Sequence, residues 1–155
     1  YDIQKLVEYR NISKWVKIST PSIYKKVIQL EKKGLIKGEV VKEGKMHEKS
    51  VYTLTETGEK EFEKLMLEIA GKPIHLFLDF NAAIVNLDSL SPKMQKECIN
   101  KIKENIGILK MYLAQNLQEK ENIPKIPKTG IAVLKQQMVL VNTIEEWILS
   151  LEETF

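Results

Sequence analysis

Thr20-Pro21-Ser22-Ile23-Tyr24-Lys25-Lys26-Val27-Ile28-Gln29-Leu30-Glu31-Lys32-Lys33-Gly34 carries its own start and stop signals. A threonine hydroxyl accepts from the free N–H groups of a first helical turn. Proline at the first helical position has no N–H to lose, and glycine suits the left-handed residue just past a helix end. These signals bound a helix at residues 21–33. Within it Ile23, Val27 and Leu30 recur at intervals of four and three on one face. Ser22, Lys26, Gln29 and Lys33 form an opposite stripe, with Lys25 beside it. One face is built to pack, and the other is polar and basic.

Downstream, Leu35 to Lys42 and Ser50 to Leu54 are rich in Val, Ile, Thr and Tyr. The segment between them, Glu43 to Lys49, is polar and contains a glycine. This pattern predicts a β-hairpin with a long charged tip, its strands contributing Tyr52 and Leu54 to the core. Thr55 then caps a helix to about Gly71 with Phe62, Leu65 and Ile69 on its inner face. Upstream, Ile3, Leu6 and Val7 have helical spacing, and Ile12 to Ile18 reads as a short helix or a turn-rich connector.

Pro73 predicts a kink or restart, after which Ile74, Phe77, Leu78, Ile84, Val85 and Leu87 continue a helical pattern to about Asp88. Ser91-Pro92 opens a further helix to about Lys120. Along it Ile99, Ile102, Ile106, Leu109 and Leu113 recur at three, four, three and four, the stripe of a helix-to-helix seam. A linker with Pro124 and Pro127 precedes a last helix, about 130–152, bearing Leu134, Met138, Val141, Ile148 and Leu151.

The composition excludes several classes of function. The chain has 155 residues, which is enough for a compact domain, or for a small domain with an appendage. No stretch approaches the roughly 20 apolar residues of a membrane span, and there is no signal-peptide pattern, so the expected location is the cytoplasm. The single Cys98 rules out an intramolecular disulfide framework and reads as an inert core residue; His47 and His75 have no Cys or His neighbour at ligand spacing. No Gly-rich phosphate loop, Gly-x-Ser-x-Gly elbow or Ser/His/Asp arrangement is present. The expectation is a protein that is not an enzyme and uses no metal or cofactor. The net charge of +3 is uneven: residues 1–54 hold 12 Lys+Arg against 6 Asp+Glu, and residues 55–155 hold 12 against 15. The basic half is the half that suits a polyanion.

Helix, helix and two-stranded hairpin is the order of a winged helix-turn-helix. The second helix of that motif enters the DNA major groove, and the hairpin tip reaches the flanking backbone. Tyr1-Asp2-Ile3, Ser22-Ile23-Tyr24, Leu30-Glu31-Lys32-Lys33-Gly34-Leu35-Ile36 and Tyr52-Thr53-Leu54-Thr55-Glu56-Thr57-Gly58 together resemble the PadR family of transcriptional regulators. The Leu-Glu-x-x-Gly-Leu-Ile run also occurs in MarR-like and other winged-helix families, and Tyr-x-Leu-Thr-x-x-Gly narrows the choice. More loosely, Ile144 to Ile148 and the long second half resemble the helical C-terminal domain of longer PadR-like members. The resemblance implies a homodimer on a roughly palindromic operator, most simply a repressor released by a small effector. It also implies a further helix before Tyr1 and a phosphate contact for Tyr24, a residue that could equally complete the core.

The fold class expected is therefore mostly α with a small β-hairpin wing. A winged-helix DNA-binding domain spans residues 1–70, and a helical dimerisation domain spans 71–155. Double-stranded DNA is the expected partner, through Thr20, Ser22, Tyr24, Lys25, Lys26 and Gln29 and the wing residues Lys42, Lys45 and Lys49. Dimerisation is assigned to Ile99, Ile102, Ile106, Leu109, Leu113, Val141 and Ile148, though the same stripe could pack within one chain. Phe77, Phe80 and Trp147 could line a pocket for a hydrophobic or aromatic effector. The alternatives are a winged-helix adaptor that has lost DNA binding, whose recognition face would be neutral or acidic, and a MarR-like regulator.

Overall fold

A computed structural model describes residues 2–10, 12, 16, 22–41 and 49–152, and divides the chain into two compact units, Tyr1–His75 and Leu76–Phe155. The first unit contains α1 (Asp2–Tyr9), α2 (Ser22–Lys32), β1 (Ile36–Val41), β2 (Lys49–Leu54) and α3 (Glu56–Ala70). The expected fold class is what the structure shows: helices, with one antiparallel hairpin among the described residues. Thr20, Pro21, Lys42 and Lys45, and most of the 12–18 connector, lie outside the described residues.

Helix α2 ends in a Schellman motif. Gly34 sits at φ 68°, its N–H reaches Glu31 O at 2.8 Å, and Leu35 N–H reaches Leu30 O at 3.0 Å. Only glycine adopts that φ without strain. The two carbonyls of the turn then receive Thr55, whose hydroxyl donates to Gly34 O at 2.7 Å and whose N–H donates to Leu35 O at 3.1 Å. Thr55 is also the N-cap of α3, its hydroxyl accepting from Gly58 N–H at 3.0 Å. Gly58 is buried directly beneath the turn: a Cβ there would lie 1.9 Å from Leu35 O. The end of the second helix, the base of the hairpin and the start of the third helix are thus joined at one point.

The strands pair from Ile36↔Leu54 to Val41↔Lys49, so Lys49 belongs to β2 and not to the tip. Three other expectations are corrected. Leu54 is exposed, because it closes the open end of a two-stranded sheet. Phe62, Leu65 and Ile69 are exposed as well, since α3 is held mainly by its N-terminal end. The third concerns residues 74–88, which do not form a kinked helix. Residues 73–78 have no regular secondary structure, α4 is a single turn (Asn81–Ile84), and Leu87–Ser89 is a 3-10 turn. Pro73 removes a backbone donor, and the side-chain amide of Asn86 competes for the helical carbonyl of Ala82. Of that apolar run only Leu87 is fully buried.

In the second unit α5 (Pro92–Lys120) and α6 (Lys128–Glu152) form an antiparallel helical hairpin. Ser91 caps α5, its hydroxyl accepting from Met94 N–H, with Pro92 in the first turn as expected. The core is Leu87 with Ile99, Ile102, Ile106 and Leu113 of α5 and Val141 and Ile148 of α6. Burying a side chain of this size contributes about 1.5–3 kcal/mol. Ion pairs Lys103–Glu152, Lys110–Glu145 and Glu121–Lys135 flank the seam along its length. Each is partly exposed and adds no more than about 1 kcal/mol, but together they fix the register.

Gly58→Ala discriminates local propensity from packing. Helix propensity alone would stabilise the variant by about 1 kcal/mol. The contact with Leu35 O should instead destabilise it by about 1–3 kcal/mol, more than the loss of about 1 kcal/mol expected for the cap in Thr55→Ala. Urea denaturation followed by circular dichroism reads the order, and a stabilised Gly58→Ala protein would contradict the packing seen here. In the second unit Leu113→Ala should cost about 2–5 kcal/mol and Leu109→Ala much less. Equal effects in thermal melts would mean that Leu109 is as buried as Leu113.

Candidate nucleic-acid interface

Ser22 opens α2, and along the helix Ile23, Val27 and Ile28 are half-buried, whereas Leu30, expected on the packing face, is exposed. Lys25, Lys26 and Gln29 are exposed, and together with Lys33 they form the polar, basic stripe read from the sequence. Tyr24 is 76% exposed, which removes its core reading and leaves the ring on the surface beside this stripe. The hairpin follows directly, with Lys49 exposed at its outer described end.

Two features of this surface were not singled out in the sequence. Lys37 on β1 donates to Glu39 Oε1 at 2.9 Å, and that hydrogen bond and charge hold the fully exposed Glu39 carboxyl below its ordinary value. Lys37 is therefore paired with a carboxylate of its own strand. Glu31, in the last turn of α2, accepts from Gly38 N–H on β1 at 3.1 Å. The i,i+2 spacing of Lys37 and Glu39 on a strand could have revealed the first; the second joins residues seven apart across a turn and has no local signature.

The residues assigned to dimerisation are placed differently from the expectation. Ile99, Ile102, Ile106, Leu113, Val141 and Ile148 are buried inside the single chain, where they face one another across α5 and α6. Their apolar area is already covered, so they form the intrachain core; Leu109, 48% exposed, is the exception. The aromatic trio also divides. Phe80 and Trp147 stack with ring centroids 6.1 Å apart and planes 25° from parallel, whereas Phe77 is 86% exposed. Cys98 packs against the core. Among the described residues there is no cluster of three or more His, Cys, Asp or Glu placed to hold a metal, and no helix long and apolar enough to cross a membrane.

The first unit thus has a winged helix-turn-helix architecture with a basic exposed helix face. Residues 1–64 match the family described as the transcriptional regulator PadR-like family, in agreement with the resemblance in the motifs. No curated protein sequence matches the chain. Among solved structures it is similar to Bacillus subtilis PadR in complex with operator DNA, at TM-score 0.80 and 20% identity over 100% of this chain and 88% of that one. It is also similar to the virulence activator AphA of Vibrio cholerae, at TM-score 0.64 and 16% identity over 96% and 83% of the two chains. A PadR-like transcriptional regulator of Bacillus cereus matches at TM-score 0.54 and 24% identity over 96% and 86%. These likenesses concern the fold.

Proposed function

We propose that this chain is a DNA-binding transcriptional regulator that acts as a homodimer on a palindromic operator. The observation that carries the reading is the exposed Lys25, Lys26 and Gln29 stripe, on the helix that a winged helix-turn-helix offers to the major groove. Gln29 and Ser22 are base-edge hydrogen-bonding groups, and the lysines supply charge to phosphates. Tyr24, Thr20 and the wing residues Lys42, Lys45 and Lys49 complete the proposed surface. The resemblance to a PadR solved with operator DNA supports the same partner. An adaptor without DNA binding would carry a neutral or acidic face here, which this helix does not.

The dimer reading rests on apolar surface left over after the α5 and α6 seam is closed. Leu140 and Trp147 share one side of α6, and Ile108 and Met111 lie on the outer side of α5, 66% and 74% exposed. Uncovered apolar area of this kind marks a contact surface. Joining two winged helices makes the second half-site contact intramolecular and can raise avidity by about 10²- to 10⁴-fold. The regulatory sense is repression by operator occupancy, relieved by a hydrophobic or aromatic effector beside the stacked Phe80 and Trp147. Such a ligand must bind the DNA-free state more tightly.

Replacing Lys25 and Lys26 together by alanine should weaken DNA binding and reduce the log-log salt slope by about 0.9 for each phosphate that is no longer neutralised. An unchanged slope in fluorescence anisotropy, with the fold intact, would remove α2 from the interface. Sedimentation velocity of the full chain at micromolar concentration should show a dimer; a monomer would overturn the arm's proposed role. Aromatic ligands that release DNA should change tryptophan emission, and the change should vanish in Trp147→Ala. Effectors that retain full potency on that variant would place the site elsewhere.

A further inference from the structure

Helix α2 meets the hairpin at two points. The Gly34–Leu35 turn is the first, and it fixes where the helix stops and the strand begins. The second is Glu31, whose Oε1 takes the N–H of Gly38 at 3.1 Å. Gly38 stands opposite Tyr52 in the strand register. A Cβ at position 38 would lie 2.7 Å from Glu31 Oε1 and 2.7 Å from Tyr52 Cε1, so the glycine is what lets the carboxylate and the ring approach the strand together.

A strand held at one end can pivot, whereas a strand held at two separated points has a fixed inclination. From Leu35 to the Val41↔Lys49 pair the strand runs for roughly 20 Å. A modest tilt about the turn therefore displaces Lys49 by several ångström, more than a hydrogen bond to a phosphate tolerates. Glu31 is an acid on a helix whose other exposed polar face is basic, and its own charge opposes a polyanion. Its hydrogen bond to the strand gives it a use that compensates for that repulsion.

We propose that Glu31 is a positioning residue for nucleic-acid binding. It sets the angle between α2 and the hairpin so that Lys49 reaches the DNA backbone while α2 occupies the groove. It does not itself touch DNA, and the inference rests on the DNA-binding reading above.

The experiment uses the full chain, a mixed-sequence DNA duplex and anisotropy titrations over a range of salt. Glu31→Ala should leave one phosphate per bound protomer without its lysine, lowering the salt slope by about 0.9 and weakening binding roughly eightfold at ~0.1 M salt for each protomer engaged. For a bound dimer the slope should fall by about 1.8 and binding should weaken on the order of sixtyfold. Glu31→Gln keeps the acceptor oxygen and removes the charge, so it should bind at least as tightly as the parent. Gly38→Ala, whose Cβ would displace the Glu31 carboxylate from the strand N–H, should reproduce the Glu31→Ala defect. In Glu31→Ala, hydrogen exchange should accelerate at Gly38 and the β2 amides while α5 and α6 stay protected. Parent-like binding by Glu31→Ala overturns the proposal, as does tighter binding by both Glu31 variants, because charge alone would then explain the residue. Unfolding of the first unit in Glu31→Ala also overturns it, since Glu31 would then be a stability residue. Failure of the parent protein to bind the duplex with any salt dependence would instead sink the DNA-binding reading itself.

Discussion

The carbonyl of Leu35 lies so close over Gly58 that any side chain at that position would collide with it, and the rest of the first unit follows from this contact. A turn must end α2, leave two carbonyls facing outward, and present them to a residue that also starts α3. Gly34 makes the turn, Thr55 takes both carbonyls and caps the next helix, and Gly58 leaves the space. Two stretches of chain, 34–35 and 55–58, are thereby fixed at one small polar junction. The Leu30–Ile36 and Tyr52–Gly58 stretches each supply half of this junction.

The second unit depends on a different interaction, the apolar seam between α5 and α6. The stripe at three and four spacing on α5 is matched by Val141 and Ile148, and the flanking lysine–glutamate pairs select one register of the antiparallel hairpin. Closing that seam within one chain changes the account of assembly. The most regular apolar residues are already covered, and a second copy would have to use less regular ones: Leu140 and Trp147 on α6, Ile108 and Met111 on α5. Each helix therefore has two separate apolar sides.

Much of this was legible in the sequence because it is local. Thr55 and Ser91 located the starts of α3 and α5 and Gly34 the end of α2, and enrichment in strand-forming residues on either side of a polar segment located the hairpin. The basic stripe on α2 needed only the helical period. What depends on distant partners was not legible. Periodicity shows that Ile99 to Leu113 faces something, but not whether that is the same chain or another. The apolar run from Ile74 to Leu87 had enough hydrophobic residues for a helix, yet Pro73, Asp79, Asn81 and Asn86 interrupt its backbone, leaving a single turn, a 3-10 turn and exposed Phe77. Glu31 on Gly38 joins two elements through a turn, and neither residue is unusual in isolation.

The central claim is that two copies of this winged helix read DNA together. Selection of bound fragments from genomic DNA, followed by hydroxyl-radical footprinting on the recovered sequence, tests it most directly. The account predicts two equivalent protected patches related by a two-fold axis, with major-groove centres separated by about 10–10.5 base pairs or a multiple of that spacing. No retained fragments at low salt, or a single asymmetric patch, would contradict it.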